Sequence, residues 1–198
     1  MSKSCLLCGV GGQGVVLASR LIAFAAMEQG YFVRTTETIG MAQRGGSVVS
    51  HVRIGEEIHS PLIPLGTADV ILAFEPGEAV RALPYLKVGG LVITDKRIVK
   101  PVTASLGGED YRAEEMIEYL RKKTGKLLLI DGDEICRKAG SPKVLNVALL
   151  GAASESGALG ITPDEMADAV RKNVKEKFIE MNERALALGR DAIGGIPA

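Results

Sequence analysis

The chain has 198 residues, and its 24 Lys and Arg side chains balance 24 Asp and Glu side chains, so the formal net charge is zero. A chain without net charge creates no field that attracts nucleic acid or an anionic membrane surface. No apolar run approaches the roughly 18 residues of a membrane span, and the N-terminus lacks the pattern of a signal peptide. We therefore expect one cytoplasmic globular domain over residues 1–198 that binds neither nucleic acid nor membrane.

The first predicted elements are a strand, a glycine-rich turn and a helix. Residues 4–10 form an apolar run that ends in glycines, and residues 15–29 continue with good helix formers. A second strand is predicted over residues 31–36. Residues 37–46 contain too much glycine and too many polar groups for a helix, so we expect a loop of functional length there.

Strands and helices continue to alternate through the first two thirds of the chain. Short strands are predicted over residues 47–54, 69–74, 91–95 and 127–130, and helices over residues 76–83 and 113–123. This alternation predicts an α/β fold with a Rossmann-like, doubly wound and mostly parallel sheet flanked by helices. From residue 131 on, the signals are all helical, with a cap at Thr162 and a helix end at Gly189, so we expect a helical C-terminal third.

The glycine-rich turn is the strongest local signal for a binding site. Residues 9–14, Gly-Val-Gly-Gly-Gln-Gly, satisfy the G-x-G-x-x-G pattern at a strand-to-helix junction. Glycines allow a sharp turn and leave the amides at the start of the helix open to an anion such as phosphate. The alternative is that they only let the helix pack closely on the sheet. The candidate cofactor-binding residues are Gly9, Gly11, Gly12, Gln13 and Gly14.

The same turn leaves open a free-standing dinucleotide-binding module or an NAD(P)-dependent dehydrogenase. Such proteins place an acidic residue about 20 positions beyond the glycines, and Glu37 lies 23 residues after Gly14. Two features argue against that alternative. No crossover helix is predicted after the second strand, and no obvious pair of residues for hydride transfer is present. A P-loop is less consistent still, because no Lys-Ser or Lys-Thr pair follows Gly14.

The loop after the second predicted strand is the second signal for a binding site. Arg44 stands close to glycines, so its forked guanidinium is carried on backbone that can approach a partner closely. An ordinary solvated arginine in a loop is the alternative. The candidate partner-binding or active-site residues are Gly40, Met41, Gln43, Arg44, Gly45 and Gly46.

The cysteines and histidines show no pattern of a metal site. The chain has three cysteines, Cys5, Cys8 and Cys136, which are too few to hold an iron–sulfur cluster with four thiolates. Cys5 and Cys8 lie three apart in a predicted strand, so they should point to opposite faces and be buried in the core. We expect His51 to be a hydrogen-bonded sheet residue, and neither it nor His59 has acidic or thiol neighbours at metal-ligand spacing. The sequence names no catalytic residue.

Three segments of the chain carry a family resemblance. Residues 9–14, 36–53 and 68–76 resemble the gamma-type domain of 2-oxoacid:ferredoxin oxidoreductases, the pyruvate/ketoisovalerate gamma type, and the resemblance runs over almost the whole length. Residues 40–46, Gly-Met-Ala-Gln-Arg-Gly-Gly, look like the form found in the beta subunit of the indolepyruvate members of this family. Pyruvate and 2-oxoglutarate members more often carry Tyr-Gly-x-Glu-x-Arg-Gly-Gly there.

The resemblance implies a subunit that is inactive alone. It implies an assembled enzyme that decarboxylates an aryl 2-oxoacid on thiamine diphosphate, passes electrons through iron–sulfur clusters to ferredoxin, and forms an acyl-CoA. By the same resemblance, thiamine diphosphate and the clusters belong to a large partner subunit, through which ferredoxin is reached. We therefore expect this chain to bind no cofactor by itself and to complete the active centre of a complex that also uses coenzyme A.

Overall fold

A computed structural model describes residues 2–38, 46–100 and 111–193, and these residues fold around one six-stranded mixed sheet. Its strands are β1 (Lys3–Val10), β2 (Phe32–Thr38), β3 (Ser47–Gly55), β4 (Ala68–Ala73), β5 (Leu86–Asp95) and β6 (Lys126–Ile130). Their order across the sheet is β2-β3-β1-β4-β5-β6. β3 pairs antiparallel with β1 and β2, whereas β1, β4, β5 and β6 pair in parallel, so β3 alone of these six strands runs against the others. The expectation of a mostly parallel sheet is confirmed.

Helices cover both faces of the sheet. The α-helices of the described residues are α1 (Val15–Glu28), α2 (Pro76–Ala82), α3 (Ala113–Lys123), α4 (Gly132–Ala139), α5 (Leu145–Glu155), α6 (Pro163–Asn173) and α7 (Ile179–Asp191). α1 and the helices after β6 share one hydrophobic cluster with the sheet, and α2 and α3 share a second cluster on the opposite face. The expected helical C-terminal third is confirmed. None of these helices is long and apolar enough to cross a membrane.

β1 lies in the interior of the sheet and is buried on both faces. Cys5 and Leu7 pack in the cluster on the α1 side, whereas Leu6 and Cys8 pack in the cluster on the α2 side. This explains the uninterrupted apolar run of the sequence, because a strand that is covered on both faces has no side on which polar residues are tolerated. Cys5 and Cys8 therefore point to opposite faces as buried free thiols, which confirms the prediction.

Two strands extend two or more residues beyond their predicted bounds. β5 begins at Leu86 instead of residue 91, so Gly89 and Gly90 lie inside the strand. A Cβ at Gly90 would stand 3.1 Å from the Ala68 carbonyl oxygen, so glycine lets β5 pass close to β4 where their register shifts. β2 extends into the predicted loop because its pairing with β3 continues to Thr38.

The predicted helix end at Gly189 is wrong, since α7 continues to Asp191. A Cβ at Gly189 would stand 1.9 Å from the carbonyl oxygen of Ala148 in α5, and one at Gly151 would stand 2.1 Å from the carbonyl oxygen of Leu186 in α7. The two glycines therefore let the backbones of α5 and α7 touch. Gly189 is a packing residue within the helix and not its stop signal.

This contact predicts that replacing Gly189 by alanine lowers the stability of the chain, although alanine is the better helix former. Helix propensity alone predicts that Gly189→Ala stabilises the chain by about 0.5–1 kcal/mol. Because the added methyl group would collide with backbone, we expect instead a loss of about 1–3 kcal/mol in the free energy of unfolding. Urea denaturation measures the difference. Gly125→Ala is the matched control, since a Cβ there meets no described atom within 4 Å. A Gly189→Ala chain that is as stable as the wild type would contradict the packing role.

Candidate functional site

The parallel strands all end at one edge of the sheet, which we call the carboxyl edge. β1 ends there at Val10, β4 at Ala73 and β5 at Asp95. β3 runs in the opposite direction and begins at this edge, where Ser47 pairs with Val10. Open α/β sheets bind ligands outside the carboxyl ends of their strands. The glycine-rich turn and the start of β3 therefore lie side by side at the edge where a ligand is expected.

The backbone of the glycine-rich turn has the shape of an anion-binding site. Gly12 and Gly14 have φ angles of +99° and +86°, and since no described non-glycine residue has a positive φ, the sign alternates at Gln13. Alternation of this kind turns successive amides toward a common concave side. α1 begins directly after the turn, with no side-chain cap and no acidic residue in its first turn. The first amides of α1 are thus left for a ligand, and the helix dipole favours an anion there.

The glycines of this motif serve two different purposes. A Cβ at Gly9 would stand 2.8 Å from Gln13 Oε1 and 2.9 Å from Phe74 Cβ, so Gly9 is required for packing. A Cβ at Gly12 would meet no described atom within 4 Å. Gly12 is therefore needed for its backbone conformation and leaves open space above the turn. The packing interpretation holds for Gly9, whereas the position of Gly12 suits the approach of a ligand.

Gln13 holds the turn in shape. Its Oε1 accepts a hydrogen bond from the amide of Val10 at 2.7 Å, and its Nε2 donates to the carbonyl oxygen of Phe74 at 3.1 Å. The carboxamide thereby joins the ends of β1 and β4. These two hydrogen bonds fix the orientation of the carboxamide, so the Gln13 side chain has a structural role in the turn.

Among the described residues, a backbone hydrogen bond joins the two sequence motifs. The amide of Gly11 donates to the carbonyl oxygen of Gly46 at 2.9 Å, so the end of the second motif touches the glycine-rich turn. The remaining predicted residues of that loop lie outside the described residues, namely Gly40, Met41, Gln43, Arg44 and Gly45. Their role in partner binding stays a prediction.

A buried acidic cluster at the carboxyl edge was not predicted from the sequence. Glu75 and Glu78 follow β4 and are 1% and 3% exposed. Glu75 caps α2 by accepting the amide of Glu78 at 2.7 Å, and the hydroxyl of Tyr111 donates to its carboxylate at 3.1 Å. Glu78 pairs with Arg81 and accepts a hydrogen bond from Ser47 Oγ at 2.6 Å. The cluster thus connects the start of β3 to the start of α2.

The environment of Glu75 favours its protonated form. Burial raises the pKa of Glu75, and the neighbouring Glu78 carboxylate adds to the rise, while hydrogen bonds from the Glu78 amide and the Tyr111 hydroxyl oppose it. Burial and the adjacent Glu75 charge also raise the pKa of Tyr111. A carboxyl group with a raised pKa, at the edge where open α/β sheets bind ligands, is a candidate for proton exchange with a substrate. Glu75 also has a structural role as the N-cap of α2, so the cluster is a candidate site and no catalytic residue is assigned in it.

A cavity of about 170 Å³ lies on the α2 side of this cluster, lined in part by Glu78, Arg81 and His51. His51 Nδ1 accepts the amide of Ile63 at 3.2 Å, which confirms the expected hydrogen-bonded sheet histidine. Burial lowers the pKa of His51, and because Nδ1 accepts a hydrogen bond, the neutral form of the imidazole carries its proton on Nε2. Cys8 also lines the cavity, but burial raises the pKa of its thiol and makes it a poor nucleophile.

No group of metal-ligating side chains assembles within the described ranges.

Glu37 does not lie where a dinucleotide site requires an acid. In dinucleotide-binding folds the acidic residue ends the strand that neighbours β1. Here β3 occupies that position and β2 lies one strand further out. Glu37 faces α1 instead, 3.8 Å from Arg20 and 3.5 Å from the hydroxyl of Ser19. The dinucleotide-binding alternative is not supported.

The raised pKa of Glu75 predicts a pH dependence of stability. Below the ordinary carboxyl pKa of about 4.3, Glu75 is protonated in both folded and unfolded chains. As the pH rises through its elevated folded value, the folded state loses the advantage of holding that proton, so stability falls. Glu75→Gln keeps an acceptor for the α2 cap but does not titrate. We expect its free energy of unfolding to fall less than that of the wild type between about pH 4 and pH 8.

Denaturant titrations across that pH range measure the two slopes. The exposed Glu114 supplies the control, because Glu114→Gln removes a carboxylate that is not buried and should leave the wild-type slope almost unchanged. Equal slopes for the wild type and Glu75→Gln would show that Glu75 is not protonated preferentially in the folded chain.

Comparisons with known proteins identify the family of the chain. The family model described as pyruvate ferredoxin/flavodoxin oxidoreductase matches residues 4–192. The indolepyruvate oxidoreductase subunit IorB of Thermococcus kodakarensis is 40% identical over 186 residues, which cover 93% of this chain and 92% of that protein. IorB of Archaeoglobus fulgidus is 40% identical over 200 residues, which cover 100% of this chain and 99% of that protein.

A solved structure shares the fold. The 2-oxoglutarate:ferredoxin oxidoreductase from Magnetococcus marinus, with 2-oxoglutarate, coenzyme A and succinyl-CoA bound, superimposes with a TM-score of 0.73 at 22% identity. The superposition covers 96% of this chain and 31% of that one. The family model spans almost the entire chain, and the relatives match it from end to end. The chain belongs to the pyruvate ferredoxin/flavodoxin oxidoreductase family.

Proposed function

We propose that this chain is the subunit without iron–sulfur clusters of an indolepyruvate ferredoxin oxidoreductase, which oxidatively decarboxylates aryl 2-oxoacids to acyl-CoA. The observation that carries the proposal is the 40% identity with the Thermococcus kodakarensis IorB subunit over 93% of the chain. The pyruvate/ketoisovalerate oxidoreductases common subunit gamma of the same organism is only 28% identical over 89% of the chain. This difference favours an indolepyruvate enzyme over a pyruvate or ketoisovalerate enzyme.

The cysteines support a division of labour between subunits. An iron–sulfur cluster held by cysteine needs four thiolates, and this chain has three cysteines in all. Cys5 and Cys8 are buried on opposite faces of β1, so they cannot bind one metal centre together. The donor set does not fit a cluster. We place the clusters and thiamine diphosphate on a large partner subunit and derive no electron transfer through this chain.

The carboxyl edge suits the phosphate groups of coenzyme A. Coenzyme A supplies the thiol that takes up the acyl group when it is bound, and its phosphates are anions of the kind that a free helix start binds. Gly12 leaves open space above the turn, and α1 has no side-chain cap. The proposed task of residues 11–14 is to hold a phosphate group and thereby orient the coenzyme. The chain would thus contribute binding and positioning to a reaction centred on its partner.

The loop of residues 40–46 belongs to the same proposed site. Gly46 is anchored to the glycine-rich turn through the hydrogen bond between the Gly11 amide and the Gly46 carbonyl oxygen. We propose that Arg44 and its neighbours contact the partner subunit or the substrate from this anchor point. We also propose a cytoplasmic enzyme that reaches ferredoxin through the partner and binds no nucleic acid.

Reconstitution tests the proposed function. The purified full chain should show no reduction of methyl viologen with indolepyruvate and coenzyme A, because it lacks the ligands for a cluster. Addition of the large subunit from the same organism should yield a stable hetero-complex, seen by size-exclusion chromatography, and turnover that prefers indolepyruvate to pyruvate. The large subunit alone is the control and should be far less active than the complex.

Two results would refute the proposal. One is indolepyruvate-dependent dye reduction by the isolated chain. The other is a large subunit that turns over at the full rate without this chain and forms no complex with it. A complex that prefers pyruvate would keep the family role and overturn the substrate assignment.

A further inference from the structure

The carboxamide oxygen of Asn146 is a buried polar atom that has no partner among the described residues. Asn146 is 3% exposed and is the second residue of α5, a helix whose first ten residues are all buried. Its Oδ1 atom is buried and has no hydrogen-bond partner among the described residues. A buried amide without partners is unfavourable for folding, and such a group in a folded protein calls for an explanation.

The Asn146 carboxamide lies directly against the start of α1. A Cβ at Gly14 would stand 2.9 Å from Asn146 Nδ2 and 3.2 Å from its Cγ. Gly14 is the N-cap of α1, and its positive φ and lack of a side chain let the amide of Asn146 approach the backbone. Asn146 Nδ2 therefore lies beside the N-cap residue of α1, in the turn for which an anion is proposed.

We infer that Asn146 completes this anion site, and that its ligand is a phosphate or diphosphate group of a nucleotide coenzyme. The Nδ2 donor would bind a phosphate oxygen together with the first amides of α1, and this role of the donor would account for a buried carboxamide whose Oδ1 has no described partner. A phosphate offers several acceptor oxygens in different directions, so it can satisfy helix amides and a side-chain amide at once. The choice of coenzyme A as the source rests on the proposed function.

A neutral amide at this position also explains how the site discriminates by charge. Aspartate has nearly the same shape as asparagine but presents only acceptors when it is ionised. It would repel an anion at the start of α1 and leave the phosphate oxygens without one of their donors. Leucine has a similar size and neither donor nor acceptor. The two replacements therefore separate the charge of the site from its hydrogen bonds.

The test uses the full chain and inorganic pyrophosphate as the probe. Isothermal titration calorimetry should show pyrophosphate binding by the wild type, with chemical-shift changes at the amides of Gly12 and Gly14 in NMR spectra. Asn146→Leu should weaken binding about tenfold, as expected for the loss of a hydrogen bond to a charged group. Asn146→Asp should weaken it further. Asn173→Asp is the control for added negative charge, because Asn173 is exposed at the end of α6.

Stability separates a ligand-binding role from a structural one. If Asn146 serves a ligand, Asn146→Leu should leave the melting temperature of the free chain unchanged or raise it, because it removes a buried amide oxygen that has no described partner. In the reconstituted complex the same variant should raise KM for coenzyme A and leave KM for indolepyruvate and kcat nearly unchanged. Pantetheine, which lacks the phosphates, should not bind the full chain, whereas pyrophosphate and coenzyme A should compete with each other.

Each outcome bears on the inference. Absence of pyrophosphate binding by the wild-type chain, or equal binding by the wild type, Asn146→Leu and Asn146→Asp, would overturn it. Loss of pyrophosphate binding in the Asn146 variants combined with a reconstituted complex that does not use indolepyruvate would uphold the site and refute the proposed function. A complex that is active with indolepyruvate, but whose KM for coenzyme A is the same in the wild type and the Asn146 variants, would uphold the proposed function and refute the site.

Discussion

The antiparallel pairing of β3 with β1 determines the arrangement of the whole carboxyl edge. Because Ser47 pairs with Val10, the chain enters β3 right beside the glycine-rich turn. The carbonyl oxygen of Gly46 then accepts the amide of Gly11, and the hydroxyl of Ser47 reaches the buried carboxylate of Glu78. One strand pairing thus joins the turn, the loop and the acidic cluster. It also moves β2 away from β1 and removes the acid that a dinucleotide site would need.

Several unfavourable buried polar groups collect at this edge. Besides Glu75 and Asn146, Asp95 at the end of β5 is 1% exposed, and burial raises its pKa. Its Oδ1 accepts the amide of Gly132 at 2.9 Å, whereas its Oδ2 has no partner among the described residues. Folding stability alone does not favour such groups, and proteins retain them mostly where they serve binding or catalysis. This edge is therefore the part of the described chain whose chemistry is least explained by folding.

Local patterns predicted the elements that depend on local physics. The strand, glycine turn and helix of residues 3–28 follow from an apolar run, glycines and helix formers, and the Thr162 cap of α6 forms as predicted. The position of β3 between β1 and β2 depends on long-range pairing, which periodicity does not encode. Gly189 showed the same limit, because a glycine that ends a helix and a glycine that lets two helices touch look alike in sequence.

The site was predictable only in part, for the same reason. The spacing of its glycines made the glycine motif recognisable in the sequence. Asn146 lies 132 positions beyond Gly14 within an apolar helix, and no sequence pattern pointed to it as a site residue. Glu75 follows a strand and precedes Pro76, and Glu78 lies in the first helical turn, so the segment is typical of an ordinary helix start. Their partner Tyr111 is 36 positions from Glu75, and only the folded chain brings the two together. Side chains that meet through tertiary packing carry no local pattern.

We propose that the carboxyl edge faces the partner subunit and the coenzyme. Hydrogen–deuterium exchange of the full chain, alone and in the reconstituted complex with coenzyme A, tests this most directly. We expect exchange to be slower in the complex than in the free chain mainly at residues 11–17 and at the start of β3 from Ser47 onward. At the opposite edge of the sheet, around the fully exposed Val88, exchange should change little. Protection confined to the surface around Val88, with residues 11–17 exchanging as in the free chain, would show that the carboxyl edge does not face the partner subunit.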